Sequence, residues 1–344
     1  MLILVAITLV FPFFLRNMSL PIPSRDIIGY YGSYLGMMIA VIYLLATGAT
    51  RPRLAALFLI GGTAPSLLVA DVNSSQLYRW MGWVLMLASA GPLFQGAKAL
   101  QFRAGAWMVC MRLIIACTIL AIASLVTGVN FGGRGGFSGV MSHSMIMAPI
   151  AAIGGLHFLE RFLLRPTLAG AGLSGSTIVL LLACGSRGAL LGFAFGAIWL
   201  LMGLKGRSRA AILACFLLLG GVFVLIGPGY ANIHDNSLTQ HLINKGLQDT
   251  RSWLWEARLR EFNDHPVFGV GFGRQLLGRG EGDFVEPGSS YLAILSMTGA
   301  VGVLGWFPLL ASLLYLMRRC RRLMPAQEWI AMLAPGVFFF VHLM

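Results

Sequence analysis

Residues 229–287 read GYANIHDNSLTQHLINKGLQDTRSWLWEARLREFNDHPVFGVGFGRQLLGRGEGDFVEP. This stretch is polar, charged and aromatic in a chain that is otherwise nearly all apolar. It holds eight of the twelve acidic residues: Asp235, Asp249, Glu256, Glu261, Asp264, Glu281, Asp283 and Glu286. Lys245, Arg251, Arg258, Arg260, Arg274 and Arg279 accompany them. Long loops on a rigid scaffold are where binding and chemistry concentrate, so the question is what flanks this one. At 58% hydrophobic and 11% charged, with mean hydropathy +0.81, the flanks do not read as a soluble core. Apolar runs of about 17 to 25 residues cross about 30 Å of hydrocarbon as helices, whereas barrel strands alternate with period two over about ten residues. The chain therefore reads as an all-α polytopic integral membrane protein of about eleven transmembrane helices, forming a single membrane domain over 1–344. Its one long extracytoplasmic loop carries short amphipathic helices.

The expected spans are 2–15, 27–49, 54–70, 80–94, 104–128, 143–159, 168–183, 188–204, 210–227, 289–317 and 329–344. The first lacks a basic leader region and a small-residue cleavage site, so it counts as a span rather than a signal peptide. The last stops at Met344 without a flanking loop, either complete but short or cut before further helices. Alternate short loops carry Arg51 and Arg53, then Lys98 and Arg103, then Arg161 and Arg165, then Lys205, Arg207 and Arg209, then Arg318, Arg319, Arg321 and Arg322. The positive-inside rule makes these loops cytoplasmic and puts the N-terminus inside. The net charge of +13 thus belongs to topology and not to nucleic-acid binding. Loops 16–26, 71–79, 129–142, 184–187 and 229–287 then face outward. Arg134, Arg187 and Arg251 lie there against the rule, which invites a functional reading beside the plain one of pairing or snorkelling. Cys110, Cys117, Cys184, Cys215 and Cys320 lie in or beside apolar segments without CxxC spacing and read as small hydrophobes.

Within the long loop, residues 249–262 read as an amphipathic helix on the membrane surface. Trp255, Leu259 and Phe262 form its apolar stripe, Glu256 reaches Arg260 at i+4, and Arg251 and Arg258 share a face. It breaks at Asp264-His265-Pro266, ahead of a glycine run, Gly269-Val270-Gly271-Phe272-Gly273. Without a βαβ context that run reads as close backbone packing in a re-entrant turn, not a dinucleotide fingerprint. Spans seven and eight meet at Cys184-Gly185-Ser186-Arg187-Gly188-Ala189, where glycines permit a sharp turn and a guanidinium suits a phosphate. Asn130-Phe131-Gly132-Gly133-Arg134-Gly135-Gly136 is a second glycine-rich outward loop, entering the helix that starts at Ser142-His143-Ser144. Three outward arginines in separate loops suit a diphosphate. His143 reads as a capping group and His157 as a satisfied polar group. Neither has a second His at i+3 or i+4, so no metal is expected.

A glycine-rich loop before a Ser-His helix start, a Ser-Arg-Gly-Ala corner, then a long loop with Thr-Arg-x-x-x-Trp and His-Pro-x-x-Gly-x-Gly: in this order the chain resembles the O-antigen ligase and Wzy-type polymerase superfamily, most clearly from about Arg134 to Gly305. The resemblance implies a bacterial inner-membrane glycosyltransferase that takes glycans from undecaprenyl diphosphate. It implies no nucleotide-sugar donor, no cofactor and, in the ligases, no metal. Carried over by motif, Arg187 and Arg251 are the diphosphate-binding arginines. Ligases commonly have a His-Asn pair entering the helix after the long loop; here Glu286-Pro287-Gly288-Ser289-Ser290-Tyr291 stands there without a His. That departure turns the expectation toward a polymerase of O-antigen or exopolysaccharide.

The expected reaction is a displacement at the anomeric carbon. A diphosphate leaving group calls for cations rather than a strong acid, so Arg187 and Arg251 stabilise it, with Arg134 or Arg258 assisting. The acceptor hydroxyl calls for a base, Glu286 first and His265 second; their plain readings are a loop carboxylate before a helix start and a structural turn histidine. Trp253, Trp255, Phe284 and Tyr291 either stack on sugar faces or anchor at the interface. Expected partners are the lipid-linked glycan, membrane lipids and other polysaccharide-assembly membrane proteins, with no nucleic acid. Two rivals stay open: a ligase moving finished glycan to lipid A core, and a transporter or flippase. Transporters tend to carry ionisable groups near the midplane, and here only Arg112 sits deep.

Overall fold

A computed structural model describes residues 1–19, 25–48, 51–69, 74–129, 137–202, 252–277 and 290–342. These are mostly helical: α1 (Leu2–Asn17), α2 (Arg25–Ala46), α3 (Leu54–Thr63), α4 (Ser74–Ser89), α5 (Ala97–Thr127), α6 (Ser144–Leu164), α7 (Leu168–Cys184), α8 (Arg187–Met202), α9 (Ser252–Asp264), α10 (Ser290–Leu323) and α11 (Ala326–His342). Among the described residues, four helical stretches, Ile27–Ala46, Ala97–Thr127, Ser144–Leu164 and Ser290–Leu323, are long and apolar enough to cross a membrane. The other apolar helices are shorter, among them Leu2–Asn17, Leu168–Cys184 and Gly188–Met202. Ten of the eleven expected spans fall on helices; 210–227 lies outside the described residues, as do all of 229–251 and all of 278–289.

Two boundaries differ from expectation for identifiable reasons. The third span is not one helix to residue 70: α3 ends at Thr63, where Pro65 removes a backbone donor, and a single 3-10 turn follows (Ala64–Leu67). The fourth begins and ends earlier than 80–94. Gly91-Pro92 stops α4, and the chain then pairs as a short strand, β2 (Phe94–Gln95), antiparallel to β1 (Arg51–Pro52).

The chain groups into two compact units. The first comprises Met1–Arg16, Ile22–Cys110 and Thr250–Arg319. Its buried clusters join Val5 and Ala6 of α1 to Ala40 and Leu44 of α2 and Phe102 of α5, and Ala56 and Leu59 of α3 to Leu87 of α4 and Leu309 of α10. The second comprises Asn17–Pro21, Met111–Asp249 and Cys320–Met344, with α6 at its centre. Small residues let helices approach α6 closely: a Cβ at Gly154 would stand 2.4 Å from Thr118 Oγ1, and one at Gly155 2.5 Å from Thr177 Cγ2. Helices α8 and α11 lie together. There Trp199 Nε1 donates to Ile330 O at 3.1 Å and its ring stands 5.6 Å from that of Trp329.

Candidate functional site

In the second unit the site begins where α7 meets α8. Gly185 closes α7 in the left-handed region (φ 67), which permits the reversal that a Cβ would resist. Ser186 then opens α8, its Oγ accepting from Ala189 N at 3.4 Å. Arg187 is thereby the first residue of α8, placed at a helix N-terminus where orphan N–H groups favour anions. The end of the glycine-rich loop returns to this corner, since Phe137 N donates to Ala183 O at 3.1 Å. The chain next runs as a short bridge, Met141 against Met18, with Ser142 N donating to Asn17 O at 2.8 Å. His143 caps α6 as expected, its Nδ1 accepting from Met145 N at 3.1 Å. Sequence reasoning passed over His342, which lies over Gly188: a Cβ on that glycine would stand 3.3 Å from His342 Nδ1.

In the first unit the long loop is spliced into a helix. α10 is interrupted at Gly299 (φ 63, ψ −166). Its broken bonds are exchanged with residues 266–271: Ala300 N donates to Pro266 O and Val301 N to Val267 O, while Val270 N donates to Ser296 O and Gly271 N to Met297 O, at 2.9 to 3.2 Å. Four orphan groups of a helix break are thus satisfied reciprocally by the His-Pro-x-x-Gly-x-Gly segment. The approach leaves no room for side chains. A Cβ at Gly299 would stand 2.4 Å from Val267 O, and one at Gly269 2.4 Å from Met297 C. The glycine run is therefore backbone packing, as the sequence suggested. Arg79 of α4 holds its far end by donating to Gly273 O, and Trp83 meets Phe272 with centroids 5.7 Å apart. Arg79 was not singled out, although it meets the criterion that marked Arg134, Arg187 and Arg251: a cation in an outward loop.

Helix α9 forms where expected, with Glu256 and Arg260 paired at 3.6 Å, and ends at Asp264 before His265-Pro266. Its two faces differ in what covers them. Trp255 and Leu259 are 42% and 44% exposed, whereas Leu254, Ala257, Arg258 and Glu261 form the buried face. Arg258, expected to assist in binding substrate, is turned inward and only 1% exposed. Its Nη1 reaches Glu261 Oε2 at 3.0 Å, Ser296 Oγ at 3.2 Å and Arg274 O at 3.4 Å; its Nη2 donates to Gln275 Oε1 at 2.9 Å. Glu261 Oε1 in turn accepts from Leu276 N at 2.7 Å and Leu277 N at 2.9 Å. The physical reason is local. The spliced loop offers amides and carbonyls that solvate both charges better than an apolar neighbour would, so the charged pair goes inside and the tryptophan outside. Burial pulls the Arg258 pKa below its ordinary value, and the Glu261 carboxylate opposes that.

Of the remaining expected site residues, His265 is exposed at the α9 break and Tyr291, in the first turn of α10, is 42% exposed. Arg134, Arg251 and Glu286 lie outside the described residues, and of Arg187 only the backbone is described. Among the described residues no group of His, Cys, Asp or Glu is arranged to hold a metal.

No curated protein and no solved structure matches the chain. Residues 172–307, from within α7 through the α7–α8 corner, α9 and the Gly299 break, match the family model described as O-antigen ligase. The matched span includes the α7–α8 corner of the second unit and the α9 and Gly299 segments of the first, and over these residues the chain is similar to the O-antigen ligase family.

Proposed function

We propose that this protein is a glycosyltransferase of the bacterial inner membrane that polymerises oligosaccharide carried on undecaprenyl diphosphate, at the periplasmic face, for O-antigen or exopolysaccharide. The observation that carries this reading is that the O-antigen ligase match covers the Ser-Arg-Gly-Ala corner, α9 and the spliced loop. In the reaction, an acceptor sugar hydroxyl attacks the anomeric carbon of the donor sugar. The new glycosidic bond forms as the bond to the diphosphate oxygen breaks, and the electron pair leaves on undecaprenyl diphosphate. Arg187 and Arg251 are the groups that meet the developing negative charge, with Arg134 assisting. Glu286 takes the acceptor proton, and His265 is the second choice. Each arginine is expected to supply about 3 kcal/mol of transition-state stabilisation, the scale of an oxyanion donor. Trp255 and Tyr291 offer exposed aromatic faces for sugars. Arg258 takes the part of a positioning residue, holding the loop that α9 and α10 share. Metal and cofactor have no part in this scheme.

A ligase that hands glycan to a preformed acceptor is the second reading, favoured by the description of the matched family. The Glu286–Tyr291 stretch, lacking a histidine, is what favours polymerisation over it. Both are tested by the glycan profile of cells expressing Arg187→Ala, Arg251→Ala and Glu286→Ala at normal levels. Polymer length and yield should fall in each. Unchanged profiles in all three overturn the site, and loss of transfer to a lipid acceptor with elongation intact selects the ligase.

A further inference from the structure

The β1–β2 ribbon of the first unit gathers arginines that the transfer reaction does not use. Arg51 pairs across it with Gln95, and Arg53 N donates to Leu93 O at 2.7 Å. Arg53 Nη1 donates to Ser312 Oγ at 3.3 Å, and Arg103 donates to Phe94 O. Residues 47–57, 90–104 and 312–319 contain no aspartate or glutamate. Of the unit's described carboxylates on α9, Glu256 and Glu261 are engaged with Arg260 and Arg258. Beside the ribbon lies a cavity of about 610 Å³ lined by Arg51, Arg53, Leu54 and Gln95. Leu54 is also the first lining residue of an open, almost wholly apolar groove of about 450 Å³ between α3 and α10. Leu57, Phe58, Leu304 and Pro308 form its walls. Gly61 leaves its floor open, with nothing within 4 Å of where a Cβ would stand.

We propose that this cavity and groove together bind one anionic glycerophospholipid, its phosphate diester against Arg51 and Arg53 and one acyl chain along α3. The dimensions fit. The ten residues of α3 rise about 15 Å, the depth of one leaflet's hydrocarbon, so a headgroup at the ribbon leaves its chain against Leu57, Phe58 and Gly61. The charge fits as well: two basic groups at a membrane surface attract anionic lipid, and a fixed ribbon holds them at one end of an apolar channel. The apolar groove excludes a free anion as the intended ligand, and the arginines exclude a neutral lipid. This inference needs the first unit to sit in a membrane and is independent of the transfer reaction.

The test is native mass spectrometry of the full chain released from nanodiscs containing equal phosphatidylglycerol and phosphatidylcholine, with bound lipid counted per chain. Phosphatidylglycerol should be retained in preference. Replacing both arginines (Arg51→Gln with Arg53→Gln) should cut that retention on the order of tenfold or more, while Arg51→Lys with Arg53→Lys retains it. Gly61→Phe, which fills the groove without touching the arginines, should remove the bound lipid whichever headgroup it carries. Inorganic phosphate and glycerol phosphate should fail to displace it. Equal retention of the two lipids, an unchanged count in the glutamine variant, or displacement by glycerol phosphate alone overturns the proposal. So does preference for a polyprenyl phosphate over phosphatidylglycerol, which reassigns the groove to the donor's tail, or loss of binding in the lysine variant, which makes the arginines structural.

Discussion

Replacing Arg258 by methionine keeps much of its volume and removes its charge. In the folded protein this strands Glu261, whose side chain is 1% exposed and whose Oε2 loses the guanidinium at 3.0 Å. Breaking one partner of a buried pair costs about 3–5 kcal/mol. Glu261 keeps its two amide donors, Leu276 N and Leu277 N, so the lower end applies. Gln275 and Ser296 also lose a donor each. About 3 kcal/mol at 1.4 per decade is on the order of a hundredfold in the local opening equilibrium. The cost falls on the loop that is spliced into α10, so hydrogen exchange resolved by mass spectrometry is the assay. Peptides covering 265–277 should lose roughly a hundredfold of protection while α6 and α7 keep theirs. Adding Glu261→Met to Arg258→Met should restore much of the protection, because no charge is then left buried. Unchanged exchange at Leu276 and Leu277 in the single variant, or a double variant worse than either single one, refutes the reasoning.

Gly299→Ala puts a Cβ into Val267 O in a left-handed backbone, so α10 should lose its exchange with the loop and thermal stability should fall by about 1–3 kcal/mol or more, read from the unfolding midpoint in detergent. His143→Ala removes the cap of α6 and should cost about 1 kcal/mol by the same measurement, leaving the exchange of 265–277 untouched. Trp255→Ala on the exposed stripe of α9 should leave the melting midpoint within about 0.5 kcal/mol while reducing polymer yield, and a fall in both would make the tryptophan part of the packing. Glu286→Gln should lower the rate without weakening donor binding, seen as a fall in turnover at unchanged half-saturation.

The helices were legible because apolar length is a direct physical requirement for crossing hydrocarbon, and α9 announced itself through Glu256 and Arg260 at i+4. The stop at His265-Pro266 was legible for the same local reason, a missing donor and a strained residue before it. Which face α9 buries was not. Periodicity marks Trp255, Leu259 and Phe262 as the apolar stripe, and in a soluble domain that stripe would turn inward. Here the buried face is decided by Gln275 and Ser296, which come from 17 and 38 residues away along the chain. No pattern within a helix encodes such partners. The same holds for Gly299: a glycine in an apolar helix is unremarkable in sequence, and only the exchange of bonds with Pro266 and Val267 gives it meaning. The Arg187 corner was legible because glycine and serine there act through the backbone of their own turn.

The central claim is a sugar transfer that expels a lipid diphosphate against an arginine. It is tested most directly with the purified full chain in proteoliposomes, supplied with undecaprenyl-diphosphate-linked oligosaccharide and no nucleotide sugar. The account predicts one undecaprenyl diphosphate released for each repeat joined, at a rate about a hundredfold lower in Arg187→Ala. Turnover in Arg187→Ala equal to that of the parent chain, or no transfer from the lipid-linked donor by the parent chain, contradicts it.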